Sequence, residues 1–406
     1  MRRRGVALLA VVVIGVAGCA ATPQSTPTEG VAAPVALEDV AAGPPEDVPS
    51  ALDNASDPAL PTPLVDTGRI ISGGPPPDGI PSIDAPLFEP AGGVDWIADD
   101  EPVIALDLDG DQRAYPVQIL HWHEIVNDTV AGRPVAVTYC PLCNSALAFD
   151  RQVGDRLLSF GTSGRLYLSA LVMYDRQTES LWSQVERTAI AGVLAGERLE
   201  LIPVTMLRWA DWRATNPDGW VLSRDTGFDR DYGRNPYVGY DELTKDPFLL
   251  DEEPDGRFPA KEPIVAFPGA AEPVAVLTAD LTESGVAHIE VDGEPVVIFA
   301  SPGLASALNA PQVADGAPVT ATGAFVPEWE GQALTFRPIS GDGSSSDGAA
   351  VAEDDQTGSR WNLLGHAVAG PLAGARLTAV PHLNTFWFAQ AAFRPDTVVL
   401  RLDATE

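Results

Sequence analysis

The chain has 406 residues, 45% of them hydrophobic and 20% charged, with a formal net charge of -32. Such an excess of carboxylates argues against nucleic acid or an anionic lipid surface as a partner and implies an acidic, well-solvated exterior. A chain of this length with only 3 cysteines is not held together by a disulfide framework.

The first residues read as an export signal. Arg2, Arg3 and Arg4 form a positive start, and Ala7 to Val16 form an apolar run too short for a convincing membrane span. Val16-Ala17-Gly18-Cys19 then resembles a bacterial lipobox, which predicts a signal peptide over 1–18 and acylation of Cys19. The protein is therefore expected to be lipid-anchored at the cell membrane, with its body outside the cytoplasm in an oxidising compartment. The segment that follows is rich in Pro, Ala, Thr and Ser and has no aromatic residue or hydrophobic period up to Leu64. It cannot bury enough apolar surface to offset its ordering entropy, so 19–64 is expected to be a disordered tether.

About 340 residues remain, enough for two ordinary domains. Short strand-like runs cover 103–108, 134–139, 146–151, 156–161 and 171–175, separated by Asp109-Gly110, Gly132-Arg133-Pro134 and Val153-Gly154-Asp155 turn signals. Short helices are expected over 117–126 and 204–215, the second ended by Asn216-Pro217. This predicts a β-rich α+β fold of mostly antiparallel short strands.

The rhythm then recurs. Glu101-Pro-Val-Ile-Ala-Leu106 matches Glu262-Pro-Ile-Val-Ala-Phe267, and Gly132-Arg-Pro-Val-Ala-Val137 matches Gly293-Glu-Pro-Val-Val-Ile298 at the same offset. Thr178, Ser180 and Trp182 recur as Thr357, Ser359 and Trp361, and Pro203, Trp209 and Pro217 as Pro381, Trp387 and Pro395. These ordered matches predict two homologous halves from an internal duplication. The first spans 65–257, including an acidic, loop-rich stretch from Asp225 to Arg257; the second spans 258–406. The recurring tryptophans are expected to be packing residues.

The chemistry-bearing segment lies in the first half: His121-Trp-His-Glu-Ile-Val-Asn-Asp128, then Tyr139-Cys140-Pro-Leu-Cys143-Asn144. Opposite His121, His123 and Glu124 the second half has Thr282, Ser284 and Gly285; opposite Cys140 and Cys143 it has Ser301 and Leu304. The scaffold matches while the potential ligands are gone, which points to function in the first half rather than to a shared packing need. No Ser-nucleophile elbow, phosphate loop, dinucleotide fingerprint or zinc-protease helix is found.

Three readings of this segment stay open. In the first, Cys140, Cys143 and His123 bind a transition metal, copper before zinc, with Glu124 or His121 completing the site and Met173 as a further soft ligand. In the second, the Cys-Pro-Leu-Cys pair is a thiol–disulfide centre, with Cys140 attacking and Cys143 resolving. A strand follows the pair within a few residues, so a thioredoxin fold is not expected. In the third, the cysteines form a local structural disulfide in a non-catalytic binding or assembly module. Asp175, Arg176 and Gln184 are candidate pocket residues, and Asn144 sits beside the pair.

His123-Glu-Ile-Val-Asn-Asp128, Tyr139-Cys-Pro-Leu-Cys-Asn-Ser-Ala146, Met173-Tyr-Asp-Arg-Gln-Thr178, Ser180-Leu-Trp-Ser-Gln184 and Thr385-Phe-Trp-Phe-Ala389 together resemble a bacterial family called domain of unknown function 3179. The resemblance covers roughly 75–400. It marks His123, Glu124, Asp128, Cys140 and Cys143 as signature positions and implies an extracytoplasmic protein without an established reaction. In the metal reading Glu124 or Asp128 would orient His123.

Overall fold

A computed structural model describes residues 48–339 and 349–402. The expected signal peptide, the Cys19 lipidation site and the tether up to 47 lie outside the described residues. Among these residues no helix is long and apolar enough to cross a membrane.

The fold is β-rich α+β, with many short, mostly antiparallel strands and four α-helices among the described residues. After the short strands Ile70–Ser72 and Phe88–Pro90, the first half forms the hairpin Pro102–Leu108 and Asp111–Pro116, turned at Asp109-Gly110, where both residues have positive φ. Thr205–Arg208 extends this sheet beside Pro102–Leu108, and Trp220–Leu222 runs parallel to Asp111–Pro116. Helix α1, Val117–His123, leaves the hairpin directly. A second sheet follows: Ile125–Val130, Arg133–Cys140 and Ser145–Asp150 pair in sequence, with Leu201–Ile202 at the edge. A third contains Phe160–Tyr167, Ala170–Asp175, Leu181–Ser183 and Thr188–Ala191, with Ile70–Ser72 at its edge.

The expected helix over 117–126 stops at His123, because Glu124 turns left-handed and the β-branched Ile125 and Val126 enter a strand. The expected helix over 204–215 begins only at Trp209 (α2, Trp209–Thr215); Thr205–Arg208 pairs with Pro102–Ala105 instead. Hydrogen-bond partners distant in sequence decide both boundaries.

Residues from Val48 to Leu64 were expected to belong to the tether, yet Ala51, Ala55 and Leu60 are buried against Val172, Leu181 and Ile190 of the third sheet. Small apolar residues spaced among prolines show no period, so their burial was invisible until the sheet supplied a surface. The folded body thus includes residues before 65.

The second half runs through the hairpin Pro263–Ala266 and Val274–Leu277, helix α3 (Thr278–Ser284) and the sheet Val286–Val291, Glu294–Ala305 and Pro318–Phe325. Leu383–Phe386 and helix α4 (Trp387–Phe393) close it. A corner with the same hydrogen bonds as that at Asp175 occurs there at Asp354. Asp175 accepts from Trp182 Nε1 at 2.9 Å and from the Thr178 hydroxyl at 2.8 Å. Asp354 accepts from Trp361 Nε1 at 2.9 Å and the Thr357 hydroxyl at 2.9 Å. One hydrophobic core contains residues of both halves, Val103, Trp182, Phe299 and Trp361 among them.

Candidate functional site

The site is built on the end of α1 and on one hairpin. The backbone N–H of Tyr139 donates to the Glu124 carbonyl at 2.8 Å, which sets Glu124 beside the end of the strand carrying Cys140. Cys140 pairs with Ser145, so Cys140-Pro-Leu-Cys143-Asn144 is the turn of a hairpin, closed by Cys143 N to Cys140 O at 3.2 Å. Asn144 takes the left-handed conformation at φ 54° and accepts from the Tyr139 hydroxyl at 2.9 Å. Gln184 lies beneath, donating to the Thr138 hydroxyl at 3.0 Å and accepting from the Ser145 hydroxyl at 3.1 Å. The second half completes the support: the Cys143 carbonyl accepts from Phe386 N at 3.1 Å and the Thr385 hydroxyl at 2.9 Å.

Both cysteines are unbridged and buried, Cys140 1% and Cys143 0% exposed. Burial opposes ionisation of Cys140. Hydrogen bonding from the neighbouring Cys143 and from the backbone of Leu171, Cys143 and Leu142 more than offsets this, so its thiol is held below the ordinary range. Cys143 is pushed up, by burial first and then by the neighbouring Cys140, and its sulfur lies 3.9 Å from the Ser169 carbonyl.

Glu124 is the acid beside them. Its carboxyl is pushed up to about 8 by burial first, then by the neighbouring Cys140 charge, against the Tyr237 hydroxyl that donates to it. Its φ is 56°, a left-handed conformation that costs a non-glycine residue roughly 1 kcal/mol. Helix α3 ends the same way, but on Gly285 at φ 69°.

The two histidines part company. His123 has both nitrogens engaged, Nδ1 with the Pro81 carbonyl at 2.6 Å and Nε2 with the Tyr232 hydroxyl at 2.6 Å. Pro81 O only accepts, so Nδ1 carries the proton and Nε2 receives the tyrosine's. Burial pushes this imidazole down to about 4 and keeps it neutral. His121 is buried with neither ring nitrogen hydrogen-bonded, packed on Tyr139 and Tyr237 at centroid distances of 5.7 and 5.9 Å. Burial pushes it down to about 3. Replacing His121 by Phe is expected to raise stability at pH 7 by about 1–2 kcal/mol, since two unsatisfied polar atoms are removed. It should also flatten the acid side of the stability curve. A base with a depressed folded pKa loses stability as pH falls from its unfolded value of 6.5 toward 3, and the variant lacks that group. Urea melts at pH 4 and 7 check both.

The other expected residues serve the scaffold. Asp128 binds Arg113 Nη1 through both oxygens at 2.8 Å and accepts from the Tyr115 hydroxyl at 2.6 Å. His123 is therefore oriented by Pro81 and Tyr232, not by Glu124 or Asp128. Asp175 holds the Trp182 corner, Met173 is fully buried opposite Trp182, and Arg176 bridges Asp78 and Asp84 at 3.0 and 3.1 Å. No group of three or more His, Cys, Asp or Glu side chains converges to hold a metal among the described residues.

The residues that sequence reasoning missed are Tyr232, Tyr237 and Tyr240, from the acidic stretch between the halves. That stretch forms no helix or strand, and its backbone is tied to the second half by Asn235 N to Pro311 O at 2.9 Å and Gly239 N to Asn309 O at 2.9 Å. It holds 3 of the chain's 7 tyrosines, a concentration that was readable. With Glu124, Leu142 and Leu171, Tyr237 and Tyr240 line a cavity of about 430 Å³.

Fold and site together define a β-rich protein with a buried two-cysteine turn beneath an acidic side chain and an apolar cavity. A family model described as protein of unknown function (DUF3179) matches residues 77–397, and the chain belongs to that family. No curated protein and no solved structure matches it.

Proposed function

We propose that this is a lipid-anchored extracytoplasmic dithiol protein whose Cys140 and Cys143 cycle between two thiols and a disulfide. What supports the reading is the hairpin turn Cys140-Pro-Leu-Cys143, closed by Cys143 N to Cys140 O at 3.2 Å, which holds two buried, unbridged cysteines together beside Glu124. Cys140 is the attacking sulfur and Cys143 the resolving one. Oxidation by an external disulfide would form the Cys140–Cys143 bond and reduce that disulfide to two thiols, the protons passing to the leaving sulfurs. The test is a redox titration in glutathione buffers with mass-spectrometric counting of alkylated thiols. A reversible two-electron transition is expected. Thiols that stay reduced across the titration, or a disulfide that never opens, would overturn the reading. The second outcome would favour a structural disulfide in a binding module.

A second reading, copper or zinc on the two sulfurs, is favoured by one observation: the unpartnered nitrogens of His121. Glu124, whose carboxyl is raised in part by Cys140, is the acidic side chain that could join them, while His123 is otherwise engaged. Elemental analysis of the exported protein, prepared without chelator, tests it: near-stoichiometric metal lost alike in Cys140→Ser, Cys143→Ser and His121→Ala is its signature.

We also infer that the two halves are copies of one ancestral unit. The sequence landmarks, the parallel Asp175 and Asp354 corners and the matching ends of α1 and α3 support this, and the second copy then serves as a support for the Cys143 turn.

A further inference from the structure

The cavity above the cysteine turn has apolar walls and an arginine without a counter-charge. Ile80, Leu142, Leu166 and Leu171 line it, and its volume of about 430 Å³ falls within the range of small-molecule sites. Val238 and Phe248, which also line it, stay 50% and 45% exposed and form an apolar rim. The charged side chains in the lining are Glu124, Arg165 and Lys245. In a chain with 57 acidic residues against 25 basic ones, a lining with two cations to one acid reverses the prevailing sign. Lys245 is taken by Glu242 at 3.1 Å. Arg165 is not neutralised. It is half-buried on Phe160–Tyr167, opposite Ser72 of the edge strand, and its Nη2 donates to the Leu52 carbonyl, a neutral acceptor. Among the described residues no carboxylate pairs with it. A guanidinium presents a planar fork of N–H donors, so one backbone carbonyl leaves most of them, and the whole charge, unmatched. Glu124 stands on a different element, at the end of α1, and is 8% exposed, so it presents little surface to a ligand.

We propose that this cavity binds an amphipathic carboxylate, its head group on the Arg165 guanidinium and its apolar chain on Leu142, Leu166 and Leu171 within the rim of Val238 and Phe248. Burial of the chain supplies the affinity, and charge-assisted hydrogen bonds from Arg165 select the anion. The inference goes beyond the dithiol reading, because it concerns Arg165 and the cavity walls and holds whether or not the sulfurs cycle.

The test uses the exported chain with Cys19→Ser, which keeps it unacylated and free of detergent, and octanoate as the probe, with octanol and octylammonium as neutral and cationic controls. Isothermal titration at neutral pH should show saturable one-to-one binding of octanoate, roughly ten-fold tighter than octanol, with the cation weaker than both. Arg165→Gln, which can still donate to Leu52, should bring octanoate down to the level of octanol and leave octanol unchanged. Arg165→Lys should keep the preference for the anion. Phe248→Ser, on the exposed rim, should weaken octanoate and octanol alike, since it removes apolar contact and no charge. That variant leaves the core untouched; if Arg165→Gln does not fold, it tests the cavity while the preference over octanol in the parent chain tests the head group. Octanol binding as tightly as octanoate, octylammonium binding more tightly, or an octanoate affinity indifferent to Arg165→Gln or to Phe248→Ser would overturn the proposal. Binding should persist in Cys140→Ser, so failure here and failure of the redox titration are separate results.

Discussion

Asp128→Ala is expected to destabilise the protein by about 3–5 kcal/mol, a loss that a urea melt would register as a large fall in midpoint. The reason is what remains behind. Arg113 is 3% exposed, and its Nη1 has both Asp128 oxygens as partners at 2.8 Å. Asp111 keeps the other side of the guanidinium at 2.8 Å, but the Nη1 face would be left buried without a counter-charge. Tyr115, also buried, would lose the acceptor of its hydroxyl. Removing Arg113 as well, in Arg113→Met with Asp128→Ala, should recover part of the loss, because the uncompensated charge goes with it. The redox titration of Cys140 and Cys143 should not move, since Asp128 contacts neither sulfur nor His123. A shift in that titration would return Asp128 to the site.

Glu124 should make stability fall as pH rises from about 4.5 to about 8. Its folded value of about 8 lies above the ordinary 4.5, so the folded state holds the proton more tightly than the unfolded one. Stability is then fully present below about 4.5 and declines as pH rises through 8. The full shift corresponds to a loss of about 5 kcal/mol. Glu124→Gln should abolish this slope and be the more stable protein at pH 8, while matching the parent near pH 5. Melting temperatures measured between pH 5 and 9 decide it. The slope should also shrink once the cysteines are oxidised, because the Cys140 charge is one of the causes that raise the Glu124 carboxyl. An unchanged slope in Cys140→Ser would show that burial alone sets the value. Together with His121, which removes stability on the acid side, Glu124 should confine the optimum to mildly acidic pH.

Much of the site's membership was legible because composition and spacing carry it. The Cys-Pro-Leu-Cys segment reads as a tight bend, since a strand follows at once, and it is the turn between Arg133–Cys140 and Ser145–Asp150. Glu124 was legible as a candidate because it lies in the same short stretch as His121 and His123. Strand positions were readable wherever Asp-Gly or Gly-Arg-Pro signals bounded a β-branched run. Asp175 and Gln184 were expected as pocket residues; they are buried hydrogen-bond anchors whose partners, Trp182 and Thr138, no local pattern connects to them.

The sequence by itself determined the β-rich class, the short antiparallel strands, the two cysteines as a local pair and the family, because these follow from turn residues, side-chain alternation and motif spacing within a few dozen residues. Only the tertiary structure decided which histidine has partners, why Asp128 faces Arg113 rather than His123, and that Tyr237 from the connecting stretch closes over Glu124. It also decided that residues 48–64 pack onto a sheet. The physical reason is common to all four. Hydrogen-bond satisfaction and burial are settled between segments that meet only after folding, and a residue's neighbours along the chain do not say which distant surface will cover it.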